Sequence, residues 1–220
     1  QRWEESSLIE EKLKFFASEK GKSSPQTRFR DENHSGVGFF LDTSLTKESE
    51  DCLSLNICTE DISGTRPVMI WIHGGALVTG GSSSMMYELT HLAKRGIVIV
   101  SINYRLGPLG FLRLEEITNG KINSSGNEGL KDQRNAIKWV KKNISSFGGD
   151  PNNITIFGES AGSWSCNLQI AAGSEGLFNK AICQSGGLDA VASKDKANKW
   201  SELFIKQFKN DGYSINDLRS

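Results

Sequence analysis

The amino-acid sequence predicts an α/β protein in which helices cover both faces of a mainly parallel sheet. Short β-branched, apolar runs alternate along the chain with longer segments whose apolar residues recur at helical spacing. Continuous apolar runs are typical of strands that are buried on both faces. The chain has 220 residues, of which 37% are hydrophobic and 24% charged, and these values fit a soluble globular domain.

Five segments have the composition of strands. Residues 53–57 alternate between polar and apolar side chains, whereas 68–72 and 97–102 are continuous apolar runs. Residues 154–157 form a further run of this kind, and 181–184 form a weaker one. Because β-branched residues dominate these short segments, they favour strands over helices.

Three later segments have apolar stripes at helical spacing, and each ends at glycine, which commonly terminates helices. The stripes are Leu130, Ile137, Val140 and Ile144 before 148–149; Ala161, Trp164, Leu168 and Ala172 before Gly173; and Ala197, Trp200, Phe204 and Phe208 near Gly212. The segment 1–46 is less regular. Within it, Ile9, Leu13 and Phe16 predict one amphipathic helix, and the polar residues 17–35 predict a loop.

Charge and composition exclude several classes of protein. The chain has 26 basic and 26 acidic residues, so no basic surplus indicates binding to nucleic acid. No run approaches the roughly 18 to 20 apolar residues that a membrane span needs. The four cysteines, Cys52, Cys58, Cys166 and Cys183, show no CxxC pairing, which argues against a zinc site and favours buried free thiols. No cofactor is implied.

The most informative segment is 150–164, in which a buried strand runs into GESAG at 158–162 and a helix follows. A G-x-S-x-G pattern between strand and helix is the arrangement of a nucleophile elbow. The turn strains the backbone of the serine, and the two glycines leave room for the strand and the helix to cross. The pattern alone also fits a plain glycine-rich turn, but its flanks favour the elbow and make Ser160 the candidate nucleophile.

A second glycine-rich loop, WIHGGA at 71–76, follows the strand 68–72. Such a loop can direct backbone N–H groups at a developing oxyanion, and the N–H of Ala161 is a further candidate donor. One donor of this kind is typically worth about 10²- to 10³-fold in rate. Alone, the loop would be interpreted as a simple turn. Together with the elbow and in this chain order, it favours an oxyanion site.

These segments resemble the type-B carboxylesterase and cholinesterase family of the α/β-hydrolase fold. The resemblance extends over about 48–187 and is carried by SEDCLSLNI at 49–57, VMIWIHGGA at 68–76, VSINYRLGPLGFL at 100–112, the long segment 126–163 and NKAICQSG at 179–186. It implies a partial α/β-hydrolase domain over 47–220, with the C-terminal half missing, after a divergent N-terminal segment 1–46.

The resemblance implies a carboxylic ester hydrolase of the EC 3.1.1 type that takes a small-molecule ester and forms an acyl-enzyme at Ser160. By position, the oxyanion donors correspond to Gly75, Ala76 and Ala161. Ala76 replaces the third glycine of the usual run but keeps its N–H group. Glu159 corresponds to a carboxylate that the family buries beneath the site, although an acidic residue tolerated at a turn is the alternative.

Other residues resemble structural parts of the family. Arg105 and Asp132 correspond to an ion pair that belongs to the architecture. The aromatic residues Tyr104, Trp139 and Phe147 are interpreted as core, because aromatic side chains at helix or strand spacing are usually packing residues.

The sequence departs from the family in its catalytic triad. All three histidines, His34, His73 and His91, precede Ser160, whereas this fold has the chain order serine, acid, histidine. The resemblance gives His73 a structural role, and the other two are interpreted as surface or loop residues. We therefore expect the 220 residues to be a fragment or a truncated product that is nearly inactive by itself.

Three functional interpretations follow. The first is a carboxylesterase for uncharged or lipophilic esters. The second is a non-catalytic adhesion or signalling relative, or a degenerate pseudoenzyme, which the incomplete triad favours and the intact surroundings of Ser160 oppose. A lipase or peptidase of the same fold is disfavoured by the HGGA and SEDCL segments. Because Asp42 lies near the place where cholinesterases have a choline-stacking tryptophan, a choline ester is not expected.

The sequence is compatible with two cellular locations for the protein. Family resemblance implies secretion or the lumen of the endoplasmic reticulum, which N-x-S/T sequons at Asn33, Asn123, Asn143 and Asn153 would suit. However, no cysteine precedes Cys52, whose family counterpart has an upstream disulfide partner, and Tyr213 stands near the place of another family cysteine. A cytoplasmic location therefore stays open. The sequence does not indicate an oligomeric state.

Overall fold

A computed structural model of the chain describes residues 2–9, 17, 19–26, 47–84, 86–173, 176–189 and 191–219. The predicted N-terminal helix falls mostly outside the described residues, because Leu13 and Phe16 are not among them. His34 and Asp42 also lie outside, and the predicted loop over 17–35 is described only in part.

The five predicted strands form one sheet. They are β1 Leu55–Cys58, β2 Arg66–Ile72, β3 Val98–Ile102, β4 Gly149–Glu159 and β5 Lys180–Gln184, in the spatial order β1-β3-β2-β4-β5. Strand β1 is antiparallel to β3, and the other three pairs are parallel. The predicted, mostly parallel sheet is therefore confirmed. Strand β4 begins five residues earlier than the apolar run indicated, because Gly149 already pairs with Arg66 of β2.

The described residues contain five α-helices and two short 3₁₀ helices. The α-helices are α1 Thr90–Ala93, α2 Gly107–Phe111, α3 Glu128–Asn143, α4 Ala161–Ala171 and α5 Lys194–Asn210, and the 3₁₀ helices are Ile144–Phe147 and Ile215–Arg219. Helices α3, α4 and α5 are those predicted from the apolar stripes, whereas α1 and α2 were not predicted. None of the helices within the described ranges has the length and hydropathy that crossing a membrane requires.

The main hydrophobic core, here called the sheet cluster, joins the three central strands to α3 and α4. Its members are fully buried or nearly so: Val68, Ile70, Ile72, Val98, Val100, Ile102, Tyr104, Leu106, Ile137, Val140, Ile144, Ile154, Ile156 and Cys166. Burial of one such aliphatic side chain is worth about 1.5 to 3 kcal/mol. The sheet cluster therefore holds β2 and β4 side by side, and both strands lead directly into the loops of interest.

Helix α4 packs on the sheet with a face that the apolar stripe did not predict. The buried positions include Gly162, Ser165, Cys166 and Gln169, whereas Trp164 is only half-buried. Small residues are needed on the inner face because the helix begins almost in contact with β2. The polar groups on that face are satisfied across the helices, since Ser165 Oγ accepts from Gln133 of α3 at 3.0 Å. Sequence periodicity could not reveal this, because it assumes that large apolar residues face inward.

A smaller apolar cluster, here called the terminal cluster, anchors α5. It consists of Trp3, Leu114, Ile122, Ile205 and Leu218. The indole N–H of Trp3 donates to the carbonyl of Leu218 at 3.1 Å, which joins the two ends of the described chain. Trp200 of the predicted stripe does not face the core: the residue is 52% exposed, and the Lys196 ammonium lies 5.2 Å from its ring centroid.

A buried ion pair connects the end of β3 to α3. The Asp132 carboxylate accepts from Arg105 Nε and Nη2, both at 2.7 Å, and from the Arg105 backbone N–H at 3.1 Å. The side chain of Asp132 is fully buried and that of Arg105 is 9% exposed. The geometry agrees with the architectural role that the resemblance implied.

All four cysteines are free thiols. Cys52 and Cys166 are buried, Cys58 is half-buried and Cys183 is exposed. The expectation of a buried thiol is therefore wrong for Cys183, which lies on β5, the outermost strand of the described sheet on that side. Burial raises the pKa of Cys52 to about 11, so this thiol is protonated at neutral pH.

Candidate functional site

Ser160 occupies a sharp turn between β4 and α4. The strand ends at Glu159 and the helix begins at Ala161, so a single residue reverses the chain direction. Its backbone angles are φ 55° and ψ −122°, which a residue with a side chain rarely adopts. Strain of this kind typically costs about 1 to 3 kcal/mol and persists only where the surroundings enforce it. The serine is half-buried and thus accessible from one side.

Two glycines make the turn possible. A Cβ atom on Gly162 would lie 2.1 Å from the carbonyl oxygen of Ile72, and one on Gly158 would lie 2.5 Å from the carbonyl oxygen of Gly162. Both distances are far below van der Waals contact. The strand β2, the strand β4 and the helix α4 therefore cross at this point without space for any side chain, as the predicted elbow requires.

Backbone hydrogen bonds hold the serine in place. Its N–H donates to the carbonyl of Gln184 in β5 at 2.9 Å, and its carbonyl accepts from the N–H of Trp164 at 3.1 Å. A Cβ atom on Gly186 would lie 2.7 Å from the Ser160 carbonyl oxygen, so the segment after β5 also presses against the turn. Gln184 and Gly186 belong to the segment 179–186 that resembles the family, but their roles cannot be predicted from sequence, because a main-chain contact leaves no residue signature.

The glycine-rich loop after β2 lies directly against the elbow. A Cβ atom on Gly74 would lie 2.7 Å from the backbone oxygen of Glu159 and 3.3 Å from the Cβ of Ser160. The structure thus brings together the two segments that the sequence singled out. They are adjacent because β2 and β4 are neighbours in register, with Ile72 opposite Gly158.

The loop has an unusual backbone over three consecutive residues. Gly75, Ala76 and Leu77 have φ values of 107°, 52° and 64°. The carbonyl of Gly75 accepts the N–H groups of Val78 at 3.0 Å and Thr79 at 2.9 Å, which fixes this peptide in one orientation. Among the residues that the structure describes, the N–H groups of Gly75, Ala76 and Ala161 donate to no protein acceptor. They are chemically available to a negatively charged oxygen.

His73 is locked inside the fold. Its ring is fully buried, stacks on Tyr104 with centroids 4.4 Å apart, and has Nδ1 at 2.8 Å from the carbonyl oxygen of Gly74. Because a carbonyl oxygen only accepts, the proton resides on Nδ1. The Tyr104 hydroxyl donates to the His73 carbonyl at 2.7 Å. Burial lowers the pKa of His73 to about 4, so the imidazole is neutral at pH 7 and serves the architecture of the loop.

Glu159 lies beside the elbow but is exposed. The family role that the resemblance implied, a carboxylate buried beneath the site, is therefore not seen in this structure. Its side chain points to the face of the sheet opposite α4, because strand residues alternate between faces and Gly158 faces α4. The carboxylate nevertheless remains close to the loop after β2, since Glu159 Oε2 would lie 3.4 Å from a Cβ on Gly74.

The base and the acid of a catalytic triad are not found in the described part of the chain. His91 is exposed in α1, and the buried His73 donates its Nδ1 proton to the carbonyl of Gly74. Within the described ranges, the Ser160 hydroxyl has no hydrogen-bond partner. The same ranges contain no group of three or more His, Cys, Asp or Glu side chains that could hold a metal ion. The described residues thus contain an accessible serine on a strained turn, and nearby backbone N–H groups that donate to no protein acceptor.

Comparison with known proteins agrees with this geometry. The sequence model described as the carboxylesterase family matches residues 11–218. The para-nitrobenzyl esterase of Bacillus subtilis is 46% identical over 167 residues, which are 74% of this chain and 33% of that protein. The bovine bile salt-activated lipase is 48% identical over 184 residues, covering 76% of this chain and 30% of that protein. The chain therefore spans about a third of the length of these relatives.

Solved structures show the same fold. The carboxylesterase EST55 of Geobacillus stearothermophilus has a TM-score of 0.70 and 43% identity, covering 73% of this chain and 35% of its own. A PNB esterase structure has a TM-score of 0.72 and 36% identity, covering 90% of this chain and 41% of its own. These matches confirm a partial α/β-hydrolase fold. With its strained serine between β4 and α4 and a family match over nearly its whole length, the chain belongs to the carboxylesterase family.

Proposed function

We propose that Ser160 is the nucleophile of a carboxylic ester hydrolase. The observation that carries this proposal is the strained Ser160 backbone, pinned between two glycines and next to the loop after β2. Strained backbone at an accessible serine is typical of a nucleophile that must project from the fold. Membership of the carboxylesterase family and similarity to proteins named as esterases support the reaction class.

In the proposed reaction, the Ser160 hydroxyl attacks the carbonyl carbon of a carboxylic ester. The carbonyl oxygen gains negative charge and is stabilised by the N–H groups of Gly75, Ala76 and Ala161. Collapse of this intermediate expels the alcohol and leaves an acyl group on Ser160, which water then releases as the acid. The positive end of the α4 dipole, which begins at Ala161, favours the same negative charge.

The proton of the Ser160 hydroxyl needs a base, and the described residues do not provide one. His73 donates its Nδ1 proton to Gly74 and is buried, so it cannot serve. Loss of a triad member can reduce kcat on the order of 10⁶-fold. We therefore propose that the 220-residue chain by itself is close to inactive, although it has the oxyanion donors.

Substrate class is proposed from the relatives. The names para-nitrobenzyl esterase and bile salt-activated lipase describe proteins whose substrates are esters. We propose that the protein takes an uncharged or lipophilic carboxylic ester. The competing proposal is a non-catalytic or degenerate member of the family, which the intact surroundings of Ser160 oppose.

Rescue by an external base tests the nucleophile separately from the missing base. The isolated chain is assayed with para-nitrophenyl acetate in increasing concentrations of imidazole, alongside Ser160→Ala. We expect a serine-dependent rate near zero without imidazole that rises with imidazole, because the small base can take the hydroxyl proton. Ser185→Ala is the matched control, since Ser185 is exposed, near the site and has the same φ of 55°.

The outcomes separate the two parts of the proposal. Equal rates for the chain and Ser160→Ala at every imidazole concentration contradict the nucleophile and favour a non-catalytic member. A substantial serine-dependent rate without imidazole contradicts the inactivity of the isolated chain but retains the nucleophile. If Ser185→Ala abolishes the imidazole-dependent rate as Ser160→Ala does, the assignment to Ser160 fails.

A further inference from the structure

Two cysteines from different elements converge behind the elbow. In the parallel pairing of β4 and β5, Cys183 stands opposite Gly158. Paired residues of neighbouring strands point to the same face of a sheet. Gly158 faces α4, because a Cβ atom there would lie 2.5 Å from Gly162. The side chain of Cys183 therefore points to the side of the sheet on which α4 packs.

Cys166 reaches the same place from the helix. It follows Gly162 by four residues, one helical turn, and so lies on the same helix face. Its side chain is fully buried in the sheet cluster. Burial first, and the nearby Cys183 second, raise the pKa of Cys166 to about 12.

The two sulfurs differ in access to solvent. Cys183 is exposed on the outermost strand, whereas Cys166 is completely buried. A disulfide that approaches from solvent can therefore react with Cys183 first. Cys166 is then the thiol that can complete the exchange, because it lies in the helix that packs on β5 and on the side of the sheet to which Cys183 points.

We propose that Cys166 and Cys183 form a reversible disulfide that ties α4 to β5 beside Ser160. The oxidant is a low-molecular-weight disulfide such as glutathione disulfide. The Cys183 thiolate attacks one sulfur of glutathione disulfide and forms a mixed disulfide, releasing one glutathione thiolate that takes up the proton lost by Cys183. The Cys166 thiolate then attacks the Cys183 sulfur, and the second glutathione leaves with the proton lost by Cys166.

The cross-link would connect the two segments that hold the Ser160 backbone. Helix α4 begins directly after Ser160, and the carbonyl of Gln184, next to Cys183, accepts the Ser160 N–H at 2.9 Å. A disulfide between Cys166 and Cys183 closes the chain segment between them into a loop. This loop restricts the conformations of the unfolded chain and opposes local opening of β5. We expect amide exchange in β5 to be about tenfold slower in the oxidised chain than in the reduced chain.

The test treats the folded chain with glutathione disulfide, blocks remaining thiols by alkylation and maps the peptides by mass spectrometry. We expect a peptide pair linked through Cys166 and Cys183 that dithiothreitol separates. In Cys166→Ser the mixed disulfide of Cys183 with glutathione should accumulate. Cys58→Ser is the matched control and should form the linked pair normally, since Cys58 lies on β1 at the other end of the sheet.

Two results overturn the proposal whichever variants fold. The first is that the unmodified chain carries glutathione on Cys183 while Cys166 stays a free thiol, which is alkylated only after the chain is unfolded. The pair then does not form. A linked pair in which Cys183 joins Cys58 or Cys52 also contradicts it. Neither result depends on hydrolysis, so this proposal stands or fails separately from the proposed function.

Discussion

The sheet cluster and the terminal cluster are built from similar residues but have different tolerance for change. In the sheet cluster, the central strands are completely buried and the glycines at the elbow have neighbours within 3 Å of where a side chain would begin. Around α5, Trp200 and Leu203 are exposed, and Gly212 has open space around it. The proposed site thus depends on the sheet cluster and the adjoining elbow, where larger side chains cannot be accommodated.

Burial explains the difference. In an interior packed at crystal-like density, an added atom forces the neighbouring residues to shift, whereas a partly exposed helix can accommodate the atom. The strained Ser160 backbone can persist only in the first kind of surroundings, since about 1 to 3 kcal/mol of strain must be offset by local packing. Changes in stability caused by substitution or by pH measure how far the two clusters differ.

The largest effect is expected from breaking the buried ion pair. Asp132→Asn leaves the Arg105 guanidinium without its carboxylate in a site where Asp132 is fully buried. Removal of one partner of a buried pair typically costs about 3 to 5 kcal/mol, and we expect about 4 kcal/mol of unfolding free energy in urea. Glu50→Gln is the control, because the Arg2–Glu50 pair is exposed and should lose less than about 1 kcal/mol. Equal losses in the two variants would contradict the comparison.

The next effect is a pH dependence caused by His73. Its folded pKa, about 4, lies below the value near 6.5 of an exposed histidine. The unfolded state therefore binds a proton as pH falls below 6.5, while the folded state does not until about pH 4. Stability is complete above pH 6.5 and should fall by about 3 kcal/mol on acidification to pH 4.

Urea unfolding at several pH values measures this dependence. His91→Gln should retain it, because His91 is exposed, whereas His73→Asn should lose it. The same slope in His73→Asn and in the unmodified chain would show that another group causes it.

A smaller loss is expected from one added methyl group at the elbow. Gly162→Ala places a carbon 2.1 Å from the carbonyl oxygen of Ile72, so the helix or the strand must move. The better helix propensity of alanine offsets part of the clash, leaving a net loss of about 2 kcal/mol. Gly187→Ala is the matched change near the exposed edge, where only the flexible Asp189 carboxylate lies within reach, at 3.3 Å. Its unfolding midpoint should barely change, and a loss as large as that of Gly162→Ala would show that the contact with Ile72 is not the cause.

The smallest effect is a gain in stability. Ser160→Gly should relieve the backbone strain at φ 55° and ψ −122°, because glycine adopts such angles at little cost. Ser160→Ala removes the same hydroxyl but keeps the strain, and so isolates the backbone contribution. We expect the glycine variant to be more stable than the alanine variant by about 1 kcal/mol in thermal or urea unfolding. If alanine is equal or better, the turn is not strained in solution.

Sequence patterns were sufficient to predict those features that depend on residues close together in the chain. The apolar runs of β2, β3 and β4, the glycines that end α4 and α5, and the elbow at Ser160 all follow from backbone preferences of a few neighbouring residues. The predicted oxyanion segment also lies against the elbow, because the order of strands in such a sheet is restricted.

Tertiary structure alone decided which residues of α4 and α5 face inward and which distant groups meet, whereas Ile137, Val140 and Ile144 are buried as their stripe predicted. The inner face of α4 consists of small and polar residues because β2 passes within contact of Gly162. Trp200 is exposed because α5 packs through Ser201 and Ile205. The exposure of Glu159 and the placement of Cys166 and Cys183 on one side of the sheet depend on which strand lies at the edge and on how α4 crosses it. Such contacts join residues distant in the chain, and periodicity along the chain carries no information about them.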